Sequence, residues 1–113
     1  MAPPENTTHG RSVSEADFFR QIGMDREDTV HLQIYELMQT EAIAGLQRMT
    51  QANSGGDASE VDFRAEVLRI YQGADPSTKP VYDRGATLSN GTMTDNWVIR
   101  WMLWEAMHQP NGR

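Results

Sequence analysis

The segment that decides the fold reads TDNWVIRWMLWEAMHQ (residues 94–109) and is the most apolar part of the chain. Thr94 or Asp95 supplies a capping side chain at its start, so we predict an α-helix over 94–109. At 100° per residue its apolar side chains point in nearly every direction, and its few polar residues form no continuous arc. Such a helix must be buried on nearly all sides.

Three explanations of that burial stay open. The helix is the centre of the monomer, or part of it meets a partner chain, or its rings line an aromatic ligand pocket. On a helical wheel the three tryptophans share one face, which His108 extends. Trp, Met and Arg are enriched at protein interfaces and their hot spots. The predicted partner-binding residues are therefore Trp97, Arg100, Trp101, Met102, Trp104 and Met107.

A short helix is predicted near the start of the chain. Ser12 followed by Glu15, or Ser14 followed by Asp17, fits a capping box. Two phenylalanines and an isoleucine give this helix an apolar edge. Gly23 fits a C-terminal stop.

Two longer helices follow. The first is predicted over about 26–52, with Asp25 as its cap and acidic residues in its first turn. The second is predicted over about 60–72, where Ser59 followed by Asp62 forms a capping box. Together with the apolar last helix they predict an all-α fold, a small bundle of about four helices.

A long connection over 73–93 precedes the last helix. It contains two prolines and no helical period, and irregular loops of this length are often functional. Residues 86–93 include Asn90-Gly91, the favoured pair for a type I′ turn, so they are predicted to close a short hairpin. So short a hairpin needs packing against the helices.

Glu41 interrupts the apolar stripe of the second helix. On a helical wheel it lies between Val30 and Ile34, and Gly45 follows on the same stripe, where it permits close approach of another helix. A carboxylate that is partly buried needs a cation, a metal or a raised pKa. The predicted partner is Arg100, unless Glu41 lies exposed at the edge of the stripe.

An alternative function is a metal site in the bundle. Asp28 precedes His31 by three residues, and Glu105 precedes His108 by three. Carboxylate-bridged metal sites in helical bundles use acid-x-x-His pairs of this kind, and Glu41 is a candidate additional ligand. The pairs lie near helix ends, where an acid at the start and a base at the end also suit the helix dipole.

The composition limits the remaining choices. The 113 residues suffice for one domain, predicted over 13–109 between a polar tail (1–12) and a short C-terminus (110–113). There is no cysteine, which excludes disulfides, thiolate metal sites and thiol nucleophiles. No apolar run is long enough to cross a membrane, and the first residues do not resemble a secretory signal, so a cytoplasmic location is predicted.

The net charge is −6, and it resides in residues 1–62. This charge disfavours nucleic acids and anionic membranes as partners. No motif for a catalytic residue or an organic cofactor is present. We therefore expect a small acidic accessory or structural subunit that binds a protein, either a larger one or a second copy, through its aromatic last helix. The alternative is an enzyme or enzyme subunit with the carboxylate–histidine metal site.

Overall fold

The computed structural model describes residues 14–53 and 59–108. The predicted tail (1–12) and C-terminus (110–113) lie outside these ranges. The elements in chain order are α1 (Glu15–Gln21), α2 (Thr29–Asn53), α3 (Glu60–Gln72), α4 (Lys79–Asp83), β1 (Ala86–Ser89), β2 (Thr92–Asn96) and α5 (Trp97–Met107). The described fold is thus mostly helical, as the all-α prediction expected in outline, and it also contains a small two-stranded antiparallel sheet. None of the described helices is long and apolar enough to span a membrane.

Local capping signals fix the starts of α1 and α3. The Ser14 hydroxyl accepts a hydrogen bond from the backbone N–H of Asp17 at 3.2 Å, which selects the second of the two predicted caps. At α3 the bonds between Ser59 and Asp62 run in both directions, at 3.1 and 3.3 Å, so the capping box is confirmed. Each pair satisfies backbone donors that a helix start leaves free.

The start of α2 differs from the prediction. The helix begins at Thr29 rather than near residue 26, because Asp28 accepts hydrogen bonds from the N–H groups of Val30 (2.8 Å) and His31 (3.2 Å). Asp25 instead accepts from Glu27 N–H at 2.9 Å in the preceding turn. Both aspartates suit a helix start, and the sequence alone did not show which one stands at the boundary.

The predicted hairpin is present. Asn90 and Gly91 both adopt positive φ angles, 53° and 80°, which a type I′ turn requires and which this residue pair tolerates best. The strands pair from Ser89–Thr92 out to Ala86–Asn96, with a bulge between Thr87 and Leu88. The sheet therefore extends three residues beyond the predicted 86–93.

The remainder of the 73–93 connection is less irregular than predicted, since it contains α4. The start of α5 is also corrected: Thr94 and Asp95 belong to β2, and the cap is Asn96. The buried Asn96 side chain accepts from the N–H groups of Val98 (3.0 Å) and Ile99 (3.1 Å), and donates to the carbonyl of Tyr82 at 2.7 Å. One asparagine thus joins α4 to the start of α5.

The core lies around α5, which packs against α2 and α3. Within α5, the fully or almost fully buried residues are Val98, Ile99, Trp101, Met102 and Leu103. Helices α2 and α3 approach closely at Gly45, where an added Cβ would lie 2.7 Å from Ile70 Cδ1. This confirms that the glycine permits a close helix contact.

Candidate functional site

The surface of α5 divides into a buried side and an outward strip. Trp97, Arg100, Trp104 and Met107 are spaced three, four and three residues apart, so they follow one line along the helix. Met107 is 49% exposed, and the other three side chains are partly buried. We call these four residues the α5 strip. They are four of the six predicted partner-binding residues.

The other two predicted residues lie in the core. Trp101 is 3% exposed and stacks on Phe18 of α1, with ring centroids 3.8 Å apart and planes 9° from parallel. Met102 is 2% exposed. Neither side chain reaches the surface of the chain as the structure describes it. On this side α5 is therefore the central helix of the chain. The opposite side carries the α5 strip, which is only partly covered.

The two tryptophans of the α5 strip have different surroundings. Trp97 meets the ring of Phe18 edge to face, with centroids 5.9 Å apart, so it is anchored to the core. Trp104 stacks on His108 at 4.1 Å and 26°, and His108 is itself exposed. Trp104 and the neighbouring Met107 thus form the more open end of the strip.

Arg100 lies in the middle of the strip and is held by carboxylates. Its Nε donates to Asp95 at 2.6 Å, its Nη2 donates to Glu60 of α3, and its guanidinium lies 5.1 Å from the Phe63 ring centre. Burial lowers the pKa of Arg100, but Glu60 and Asp95 more than offset this effect, so the net shift is upward. The predicted pairing of Arg100 with Glu41 is wrong.

Glu41 is bound instead by the segment between α3 and β1. Its carboxylate accepts hydrogen bonds from the Tyr82 hydroxyl (2.6 Å), the Thr78 hydroxyl (3.0 Å) and the backbone N–H of Asp75 (2.9 Å). Burial, and then the bond to Glu41, raises the pKa of Tyr82, so this hydroxyl stays protonated and donates. Three donors stabilise the carboxylate without an arginine.

The candidate metal ligands are used elsewhere or lie apart. Asp28 caps α2, His31 Nδ1 accepts from the backbone N–H of Asp25 at 2.8 Å, and Glu41 is engaged as described. His108 Nδ1 lies 2.8 Å from the carbonyl of Trp104, while Glu105 is half-buried. All five residues fall within the described ranges, and no group of three or more acids and histidines there has a geometry suited to a metal ion.

Two residues beside the strip could not be identified from the sequence. Glu60 and Phe63, one turn apart on α3, both contact Arg100. Glu60 lies 40 residues from Arg100 in the chain, so no local spacing connects them. Phe63 lies four residues before Val67 on the apolar face of α3, and only the fold shows that it also borders the α5 strip.

Comparison with protein-family models, with curated proteins and with solved structures gives no significant match in any of the three cases.

Proposed function

We propose that this protein is a small acidic accessory protein that binds another protein through the α5 strip. The observation that carries the proposal is the open end of that strip, where the partly exposed Trp104 adjoins the half-exposed Met107. Trp has a large apolar surface and a polar N–H, Trp and Arg are enriched in interface hot spots, and Met is enriched at interfaces. The cytoplasmic location predicted from the sequence remains part of the proposal.

The other exposed apolar side chains are a weaker basis for a binding surface. They are aliphatic, and the four on α2 divide between two sides of that helix: Val30 with Leu37, and Leu32 with Ile43. Single aliphatic residues scattered over a surface are normal. The α5 strip differs from them because its two tryptophans and its methionine are collinear.

The ion pairs favour a protein partner over a nucleic acid. Every arginine of the described ranges already donates to a carboxylate or a carbonyl: Arg20, Arg26, Arg48, Arg64, Arg69, Arg84 and Arg100. Phosphate contacts require cations that are available to the ligand. With a net charge of −6 as well, the chain is poorly suited to a phosphate backbone.

The test is a position-specific crosslink on the full chain. A photoreactive amino acid replaces Met107, and the protein is irradiated both pure and in an extract of the cells that naturally make it. We expect Met107 adducts, either with the protein itself or with one other protein of defined mass. The same reagent at Leu88 of β1, a position that is 63% exposed, serves as the control.

Adducts from position 107 that disappear with Trp104→Ala support the proposal, provided that position 88 gives none. Equal adducts from both positions indicate non-specific labelling and contradict it. The absence of adducts from both positions also contradicts it.

A further inference from the structure

We infer that the α5 strip pairs with the α5 strip of a second copy of this chain, the two helices running antiparallel about a two-fold axis. This inference rests on the proposed function and names its partner. A two-fold interface uses the same surface on both copies, so that surface has to be complementary to itself.

The spacing of the α5 strip gives that complementarity. In an antiparallel pair with its axis at position 102, residue 97 faces 107 and residue 100 faces 104. Trp97 then faces the partner's Met107, and Arg100 faces the partner's Trp104. Methionine–aromatic and arginine–tryptophan contacts are both favourable pairings. A parallel pair in register would instead place Arg100 against the partner's Arg100.

The charges around the strip allow this approach. Asp95 and Glu60 neutralise Arg100, and Arg64 lies 3.8 Å from Asp95 and 3.5 Å from Glu60, so two arginines meet two acids here. The net charge of the chain is therefore not concentrated on this face. Antiparallel helices also oppose their dipoles, and His108 would lie near the partner's Asp95.

The short length of the α5 strip determines how strong a dimer we expect. The 11 residues of α5 span only about 16 Å, and small interfaces of this kind belong to the weak, transient class. We therefore expect a monomer–dimer equilibrium in the micromolar range or weaker, which has to be measured as a function of concentration.

The experiment is sedimentation equilibrium of the full chain from about 5 to about 500 μM, a range that brackets a weak dimer. The wild-type mass should rise from 12.8 kDa towards twice that value. Trp104→Ala should weaken the dimer about tenfold or more, as expected for a hot-spot residue. Met107→Ala should act in the same direction at a position that is already half-exposed. Leu88→Ala is the matched control and should leave the equilibrium unchanged.

Cysteine crosslinking tests the antiparallel orientation, since the chain has no cysteine of its own. Under oxidation, a mixture of Trp97→Cys and Met107→Cys chains should form the mixed disulfide faster than Met107→Cys forms one with itself. Faster self-linking of Met107→Cys overturns the antiparallel pairing. A wild type that stays at 12.8 kDa throughout, or a dimer insensitive to Trp104→Ala and Met107→Ala, overturns the second copy as partner. If the chain is monomeric yet Met107 crosslinks to a different protein, this inference fails while the proposed function stands.

Discussion

Two buried tyrosines, Tyr35 and Tyr82, lie in regions that are held together in different ways. Tyr35 is 5% exposed, and its ring centre lies 4.7 Å from that of Phe19 and 6.3 Å from that of Phe18. Within residues 14–53 and 59–108 its hydroxyl makes no hydrogen bond of normal geometry, although Glu15 and Gln39 lie close enough to shift its pKa. Tyr82 is fully buried, and its hydroxyl donates to Glu41 at 2.6 Å. The same residue type thus serves as an apolar ring in one region and as a hydrogen-bond donor in the other.

The helices of this small chain are joined by two kinds of contact. Where α1, α2 and α5 meet, stacked and tilted rings provide contact area; we call this the aromatic junction (Phe18, Phe19, Tyr35, Trp97 and Trp101). Where α2 meets α4, directed hydrogen bonds to one carboxylate fix the geometry; we call this the polar junction (Glu41, Asp75, Thr78 and Tyr82). Ring packing tolerates small shifts, whereas a partly buried carboxylate that loses a donor is left partly unsatisfied.

The largest expected effect comes from breaking the aromatic junction. Trp101→Ala removes a ring that is stacked on Phe18 and buried at the centre of the molecule. Truncation of a buried tryptophan costs about 3–5 kcal/mol through lost burial and the cavity left behind. We expect urea denaturation to show a loss of that size in the free energy of unfolding. Trp104→Ala, at a partly exposed position of the same helix, is the matched control, and equal losses for the two variants would be inconsistent with a core position for Trp101.

A smaller effect separates the two junctions directly. Tyr82→Phe removes one donor from Glu41 and should lower the free energy of unfolding by about 1–3 kcal/mol, the range for a hydrogen bond to a charged group. Tyr35→Phe removes a hydroxyl that makes no hydrogen bond of normal geometry, so its effect should stay within about 0.5 kcal/mol or be stabilising. Each substitution deletes only the phenolic oxygen of a tyrosine, so the two variants are chemically matched.

Denaturation curves of the two variants, recorded side by side, measure this difference. Glu41→Gln, made both alone and in the Tyr82→Phe background, completes a double-mutant cycle, which should show coupling between these two side chains. Similar losses for Tyr35→Phe and Tyr82→Phe, or an absence of coupling, would contradict the distinction between the junctions.

The features that the sequence predicted correctly depend on neighbours within a few residues. The capping pairs Ser14–Asp17 and Ser59–Asp62 and the turn at Asn90-Gly91 belong to this class. The partners of Glu41 do not: Tyr82 lies 41 residues away in the chain. Helix periodicity placed Glu41 on the inner stripe, but it carried no information on which distant donor would face it.

The burial of α5 was likewise only partly predictable from the sequence. Its composition predicted burial on nearly all sides, and five of its residues are buried. Its periodicity placed all three tryptophans on one face, although only Trp101 of the three is fully covered. The difference arises because Phe18 of α1 stacks on the face of Trp101 and meets Trp97 only edge to face, and this depends on the packing of α1 rather than on α5 itself.

The smallest expected effect concerns Glu105, which lies beside the aromatic junction and acts electrostatically on Tyr35. Burial, and then the negative charge of Glu15 on α1, raises the pKa of Glu105, while His108 on its own helix partly offsets the shift. Arg26 bonds to Glu15 at 3.0 Å and leaves some of that repulsion in place. Because the folded state favours the protonated acid, the stabilisation from Glu105 is complete below its unfolded pKa and is lost as pH rises through the raised folded pKa.

At neutral pH the ionised Glu105 therefore opposes folding, and Glu105→Gln should stabilise the protein there by less than about 1 kcal/mol, as for other partly exposed charges. The gain should shrink as pH falls below the ordinary glutamate range, since the wild-type side chain is then protonated in both states. Thermal denaturation at pH 7 and pH 4 measures the two differences. Glu36→Gln, at an exposed position of α2, controls for the loss of one negative charge from an acidic chain. A Glu105→Gln gain that is absent at pH 7, or that grows towards pH 4, would mean that neither burial nor Glu15 opposes the ionised carboxylate.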